Sequence, residues 1–272
     1  MFDMILSFSL SFAMVSQILC SPARSRRQTG YGEDAHLFGQ ENCANVLVVP
    51  IHHLSQRGGI DMSLLSRLLG QCRRPRGPFG RFLAKQMNRA HGPMTAWVLS
   101  GLPPAGERDI LDVGCGGGGG MKRLAGLAPD AVIHGIDYSP DSLQVAAGTL
   151  EGLIARRRVF LHQGSVSALP FDRGSFDLVM AIESHYFWPD IPVDLAELRR
   201  VLRPGGRMVI GGGLYSGGRR DGLNRRVARS GGMHCPSLSE LKQACGAAGF
   251  IGMTSRENRR KGWFSVTAES PD

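Results

Sequence analysis

The sequence predicts an α/β domain built on a doubly wound, mostly parallel, seven-stranded sheet with helices on both faces. Three observations carry that prediction. Five short apolar segments alternate with helix-like ones from residue 109 onward, a glycine-only turn follows the first of them, and two strand-like segments joined by a charged turn end the chain. At 272 residues, with 42% apolar and 20% charged types, the chain can bury one full-sized core and has neither a disordered nor a membranous composition.

The first strand is expected over residues 109–113, the second over 131–136, the third over 159–162, the fourth over 176–182 and the fifth over 207–210. A final pair, about 250–256 and 263–268, flanks the turn 258–262. Helices fill the gaps. Ser139-Pro140 offers an N-cap followed by proline at the first helical position. Ile191, Leu195, Leu198, Val201 and Leu202 form one stripe, and Ser237-Leu238-Ser239-Glu240 is a capping box opening a helix that Gly249 can close. Before the sheet, residues 62–104 place Leu65, Leu68, Leu69, Phe79, Leu83, Met87, Met94, Trp97 and Val98 at helical spacing. Gly77-Pro78 and Gly92-Pro93 interrupt them, so two or three short helices are expected there, as a lid preceding a domain of residues 105–272.

The beginning of the chain is ambiguous. Met4 to Leu19 is apolar and of signal-peptide length, yet Asp3 stands where a basic flank belongs, and the stretch is short of the roughly 20 residues a spanning helix needs. Residues 1–61 read as a poorly ordered extension, and no stable membrane insertion is expected. The six cysteines form no C-x-x-C pair and no zinc spacing, which fits a reducing, cytoplasmic setting and no metal. The net charge of +9 lies mostly in short arginine groups, among them Arg73, Arg74 and Arg76, and reads as solvated surface.

The chemistry is concentrated at strand ends. Residues 110–120 run from a buried strand through Asp112, Val113, Gly114, Cys115 and Gly116 into four further glycines and a helix. Glycine lets backbone pass close to a ligand, and open α/β sheets bind ligands at the carboxyl ends of their strands. Alone, Gly114, Gly116 and Gly119 suit a dinucleotide equally well. Asp112 argues otherwise, because a carboxylate two residues before the first glycine suits a cation and repels a pyrophosphate. The second strand ends at Asp137, where an acid can accept from both ribose hydroxyls. After the fourth strand, Glu183, His185 and Tyr186 concentrate a carboxylate, an imidazole and a phenol where burial is costly unless they pair or serve a ligand.

Asp-Val-Gly-Cys-Gly-Gly-Gly at 112–118, Gly-Ile-Asp-Tyr-Ser at 135–139, Phe-Asp-Leu-Val at 176–179 and Leu-Arg-Pro-Gly-Gly-Arg at 202–207 together resemble the class I S-adenosylmethionine (SAM) dependent methyltransferases, particularly the small-molecule type related to quinone methyltransferases. The resemblance covers roughly residues 77–268. It implies a Rossmann-like fold, SAM as cofactor and a small-molecule methyl acceptor. Asp112, Gly114, Cys115 and Gly116 would line the methionine end, Asp137 the ribose, and Tyr138 the adenine. Gly164, Ser165 and Val166 would stand where the family has Gly-Asp, so the adenine contact loses charge assistance, and Ser165 serves equally well as a turn cap. Cys115 contributes backbone, not a nucleophile. Glu183, His185 and Tyr186 would be the catalytic stretch, with His185 the candidate base. Asn88 and His91 could reach over the cofactor from the lid. Set against this reading are a nicotinamide-dependent oxidoreductase, a nucleic-acid methyltransferase, for which no [DN]-P-P-[YF] follows the fourth strand, and a SAM-binding protein without catalysis.

Overall fold

The computed structural model describes residues 69–102, 106 and 108–272. The expectations for residues 1–61, and for 62–68 of the lid segment, lie outside the described residues. Seven strands form one sheet: β1 (Asp109–Val113), β2 (Val132–Asp137), β3 (Val159–Gln163), β4 (Phe176–Ile182), β5 (Leu202–Gly212), β6 (Ile251–Asn258) and β7 (Trp263–Glu269). Their spatial order is β3-β2-β1-β4-β5-β7-β6. The first five are parallel, and β7 runs antiparallel between β5 and β6. The expected Rossmann-like, doubly wound sheet is therefore present, with its chain-terminal hairpin inserted in reverse.

Alternation along each central strand sends side chains to two separate cores. Leu111, Val113, Met208 and Ile210 pack with Leu195 and Leu198 of α4 (Ile191–Val201) and Leu241 of α6 (Leu238–Ala247). Ile110, Leu178, Met180 and Val209 face the other way, onto Met94 and Val98 of α1 (Gly77–Leu99), Met121 and Leu124 of α2 (Gly119–Leu127), and Leu150 of α3 (Pro140–Ala155). Burial on both faces explains why β1 and β4 read as continuous apolar runs.

The helix starts follow local chemistry. Ser139 Oγ accepts from the Ser142 N–H at 3.3 Å at the start of α3, and Ser237 with Glu240 closes a reciprocal capping box on α6.

Three expectations are corrected. Gly92-Pro93 does not end a helix: α1 runs unbroken for 23 residues with Pro93 inside it. Proline forfeits one intrahelical bond, but Ala90, Met94, Thr95, Val98 and Leu99 on the buried face carry the helix on through that point. Strand β5 begins five residues earlier than expected, because Gly205 N–H donates to the Ser270 carbonyl and Ser270 N–H to that of Gly206, zipping the Pro204-Gly205-Gly206 turn onto the end of β7. A further helix, α5 (Asp221–Gly231), occupies what reads in sequence as an arginine run; its apolar side is Leu223, Val227 and Ala228, with the arginines between them.

Candidate active site

Where β1 and β4 lie side by side and end, the chain leaves the sheet in opposite directions and opens a crevice, the place at which doubly wound sheets bind ligands. The glycine turn after β1 makes the floor. Gly114 and Gly116 take left-handed φ values of 74° and 53°. A Cβ at Gly114 would lie 2.4 Å from the Ser184 Cβ, so only glycine lets the two strand ends meet. Ser184 Oγ fastens them by donating to the Val113 carbonyl at 2.7 Å. From the side, Asn88 of α1 donates to the Gly117 carbonyl at 2.7 Å and accepts from the Gly119 N–H at 3.2 Å. Asn88 is thus a clamp on the glycine turn as well as part of the cavity wall.

The cavity has a volume of about 380 Å³. One end is acidic. Asp112 is buried there, and burial, then the charge of Asp137, pushes its carboxyl up to about 7. Asp137 Oδ2 accepts from the Gly116 N–H at 2.9 Å and Oδ1 from the Ser139 N–H at 2.8 Å. Burial raises this carboxyl too, and the two backbone donors oppose that shift. Each oxygen has a second acceptor position beyond its backbone partner. Two buried acids with two backbone donors between them make a site for a positively charged, hydroxyl-bearing ligand.

Beyond Asp137, Tyr138, Gly164, Ser165 and Val166 line the same end. The Tyr138 hydroxyl donates to the Arg73 carbonyl, and its ring lies 5.4 Å beneath the Arg74 guanidinium. Ser165 Oγ accepts from the Ser167 N–H at 3.2 Å, so it caps its turn while bordering the cavity. Cys115 is buried, and desolvation, Asp112 and Asp137 together raise its thiol well above the usual range, which leaves no thiolate.

The opposite end is apolar, with one carboxylate. Leu69, Met87, Phe187, Leu214, Val227 and Met233 form its walls. Glu183 stands among them in a left-handed conformation at φ 59°, which for a non-glycine residue costs about 1–3 kcal/mol. Its N–H donates to the Gly211 carbonyl at 2.9 Å, and its Oε1 accepts from the Gly213 N–H at 2.6 Å. Its Oε2 lies 3.8 Å from Nε2 of His91 on α1. Tyr186 borders the same space, its hydroxyl without a hydrogen-bond partner among the described residues, and burial followed by the Glu183 charge pushes its phenol well above the usual range. Close packing here depends on Gly212: a Cβ there would be 3.0 Å from the Tyr186 hydroxyl and 3.2 Å from Glu183 Oε1.

His185 is the departure from expectation. The 3-10 turn His185–Phe187 sends consecutive side chains in different directions, Tyr186 into the cavity and His185 into the core. The imidazole is 0% exposed, lies 5.4 Å from the Phe264 ring, and has no hydrogen-bond partner on either nitrogen among the described residues. Burial, then the charge of His234, pulls it down to about 3. It is a neutral packing group and does not reach the cavity. The imidazole that does is His91, which the sequence suggests only as part of a lid. Leu69, Cys72, Val227 and Met233 carry no sequence signal for the site, since they lie outside the strand ends and reach it only by folding back.

Residues 110–206 match a family model described as a methyltransferase domain. This segment is a class I SAM-dependent methyltransferase domain. The strand order fits it, since a nicotinamide-type Rossmann sheet continues in parallel where this chain places an antiparallel β7. Two curated relatives show the range of this methyltransferase family. The chain is 37% identical over 123 residues to a phthiotriol/phenolphthiotriol dimycocerosates methyltransferase of Mycobacterium leprae, covering 44% of this chain and 43% of that protein. It is 39% identical over 101 residues to a demethylmenaquinone methyltransferase of Lactococcus lactis, covering 37% and 40%. The chain thus matches less than half the length of either relative. Among solved structures, the phosphoethanolamine N-methyltransferase 2 of Haemonchus contortus in complex with SAM superposes with a TM-score of 0.63 at 17% identity, covering 79% of this chain and 61% of that one, a likeness of fold.

Proposed function

We propose that this protein transfers the methyl group of SAM to a small, largely apolar acceptor whose accepting group gives up a proton. The observation that carries the reading is the polarity of one cavity: two buried acids at the glycine turn, and an apolar chamber with a carboxylate–imidazole pair at the other end.

Bound at the acidic end, SAM supplies an electrophilic methyl group carried on a sulfonium. Asp112 would face the cationic methionine portion, and Asp137 would take the ribose hydroxyls on its free acceptor positions. Tyr138, Ser165 and Val166 would border the adenine. The glycine turn would admit the ligand at Gly116, where a Cβ would meet nothing within 4 Å, with Cys115 contributing only its backbone.

At the other end, orientation of the acceptor is the main task, since displacement at a methyl carbon requires an in-line approach. Glu183 is fixed through Oε1, which leaves Oε2 toward His91, the group that would take the acceptor's proton. Tyr186 would position the acceptor as a neutral phenol. The acceptor walls come from α1, α5 and the loop after β5, elements outside the sheet. A reducing, cytoplasmic setting is supported by the four described cysteines, all free.

The test has two steps. Isothermal titration with SAM, S-adenosylhomocysteine and NAD is expected to show heat for the first two; heat for NAD without SAM would overturn the cofactor reading. Transfer of labelled methyl from SAM into fractionated cell extract is expected in the organic-soluble fraction, whereas label only in nucleic acid or protein would overturn the acceptor reading.

A further inference from the structure

The outer face of α1 carries a feature that the cavity does not use. Phe79 and Phe82 are 48% and 47% exposed, and at spacing i, i+3 they are neighbours on the helix surface. Exposed Lys85 and Arg89 continue the same stripe toward the helix's C-terminal half. Just ahead of the helix, Arg73, Arg74 and Arg76 are exposed as well.

Residues 71–99 contain no aspartate or glutamate. Of their arginines and lysine, Arg81 is neutralised by Asp141 at 2.6 Å, while Arg73, Arg74, Arg76, Lys85 and Arg89 have no carboxylate at ion-pair distance among the described residues. Two exposed aromatic rings inside a field of one sign are costly to keep in water and are the composition of a helix that lies on an anionic interface.

We propose that this face of α1, with the arginines preceding it, is a docking surface for a membrane bearing anionic lipids. Its position supports the assignment. The segment 71–76 is tied to the cavity wall through the Arg73 carbonyl on Tyr138 and the Pro75 carbonyl on Ser139, and Cys72, Arg73, Pro75 and Met87 line the cavity. A surface joined to that wall puts the cavity beside the membrane, a route for a lipid-soluble acceptor. Docking is peripheral: no helix among the described residues is long and apolar enough to cross a membrane. A single-stranded nucleic acid could also meet arginines and aromatic rings, but the apolar walls at Leu69, Met87 and Leu214 favour lipid. Docking stands apart from the methyl-transfer reading, and only delivery of the acceptor rests on it.

The test is flotation of the full chain with vesicles of pure phosphatidylcholine and of phosphatidylcholine with 30% phosphatidylglycerol (~30 mol%, a composition on the order of anionic membranes). Binding is expected to the anionic vesicles and to weaken with salt. The double substitution Phe79→Ser/Phe82→Ser is expected to weaken it at least about tenfold. Each of Arg76→Gln, Lys85→Gln and Arg89→Gln should weaken it about fivefold. SAM titration of each variant reports folding and is expected to be unchanged, since none of these side chains borders the acidic end.

A second measurement needs no loss of binding. Phe82→Trp should shift its emission to the blue on anionic vesicles and be quenched by bromine-labelled lipid chains. Binding that survives the double phenylalanine substitution, equal binding to both vesicle types, an unshifted Phe82→Trp spectrum, or binding to a single-stranded oligonucleotide but not to vesicles would each overturn the proposal. None of these results alters the SAM titration, so failure here and failure of the cofactor reading are separable.

Discussion

Ser184 rests so closely on Gly114 that a Cβ at position 114 would come within 2.4 Å of its own, and its hydroxyl holds the Val113 carbonyl at 2.7 Å. The ends of β1 and β4 are thereby locked together at the floor of the cavity. Gly114→Ala must relieve both that overlap and a φ of 74°, so a loss of about 2–4 kcal/mol in stability is expected, with SAM binding lost. Chemical denaturation and titration calorimetry check the two effects, and an alanine variant of unchanged midpoint would contradict the packing.

Asp137 serves the fold as well as the proposed ribose contact. Asp137→Ala is expected to weaken SAM by about 1.5–3 kcal/mol, and also to strand the Gly116 and Ser139 N–H groups and lower the stability of the ligand-free protein. Asp137→Asn keeps one carbonyl acceptor and should be the milder change in both measurements. Unchanged SAM affinity in the alanine variant would remove Asp137 from the site.

The carboxyl of Asp112 gives a pH signature. Its folded pKa, about 7, lies above the ordinary 3.8, so the stability it contributes is fully present below pH 3.8 and is lost as pH rises through 7. Asp112→Asn is therefore expected to stabilise the ligand-free protein above pH 7 while weakening SAM. In the unsubstituted protein a cationic ligand favours the carboxylate, so SAM affinity should rise between pH 6 and 8 with release of a proton. Calorimetry in two buffers of different ionisation enthalpy detects that proton, and a buffer-independent heat would contradict it.

His185 titrates in the opposite sense. Its folded pKa of about 3 lies below the ordinary 6.5, so its contribution is present above pH 6.5 and is lost as pH falls toward 3. His185→Phe, which can pack against Phe264 without a buried imidazole, should raise the melting temperature most at acidic pH and leave turnover nearly unchanged. A fall of a hundredfold or more in turnover (~10², the lower bound for loss of a general base) would restore His185 to the chemistry.

Glu183 and His91 are expected to act together. His91→Ala or Glu183→Gln should lower turnover by about 10² to 10⁴-fold with little change in SAM affinity, and the double variant should lose little more than either single one. Additive losses would contradict the pairing.

Much of the fold was legible because local rules set it. Apolar runs marked β1 and β4 as doubly covered strands, Ser139 and the Ser237–Glu240 box announced their helices, and the glycine turn after Asp112 with Asp137 one strand later outlined the acidic end of the cavity. These features depend on residues within a few positions of one another, or on the fixed place of strand ends in a parallel sheet. Tertiary structure decided the rest. Whether Pro93 breaks a helix depended on the core behind it, and which of His91 and His185 meets Glu183 depended on the direction of one short turn after β4. The apolar chamber is assembled from α1, α5 and the loop following β5, segments up to about 160 residues apart whose spacing carries no common period. Sequence periodicity records which face of an element is buried, and only packing records what that face is buried against.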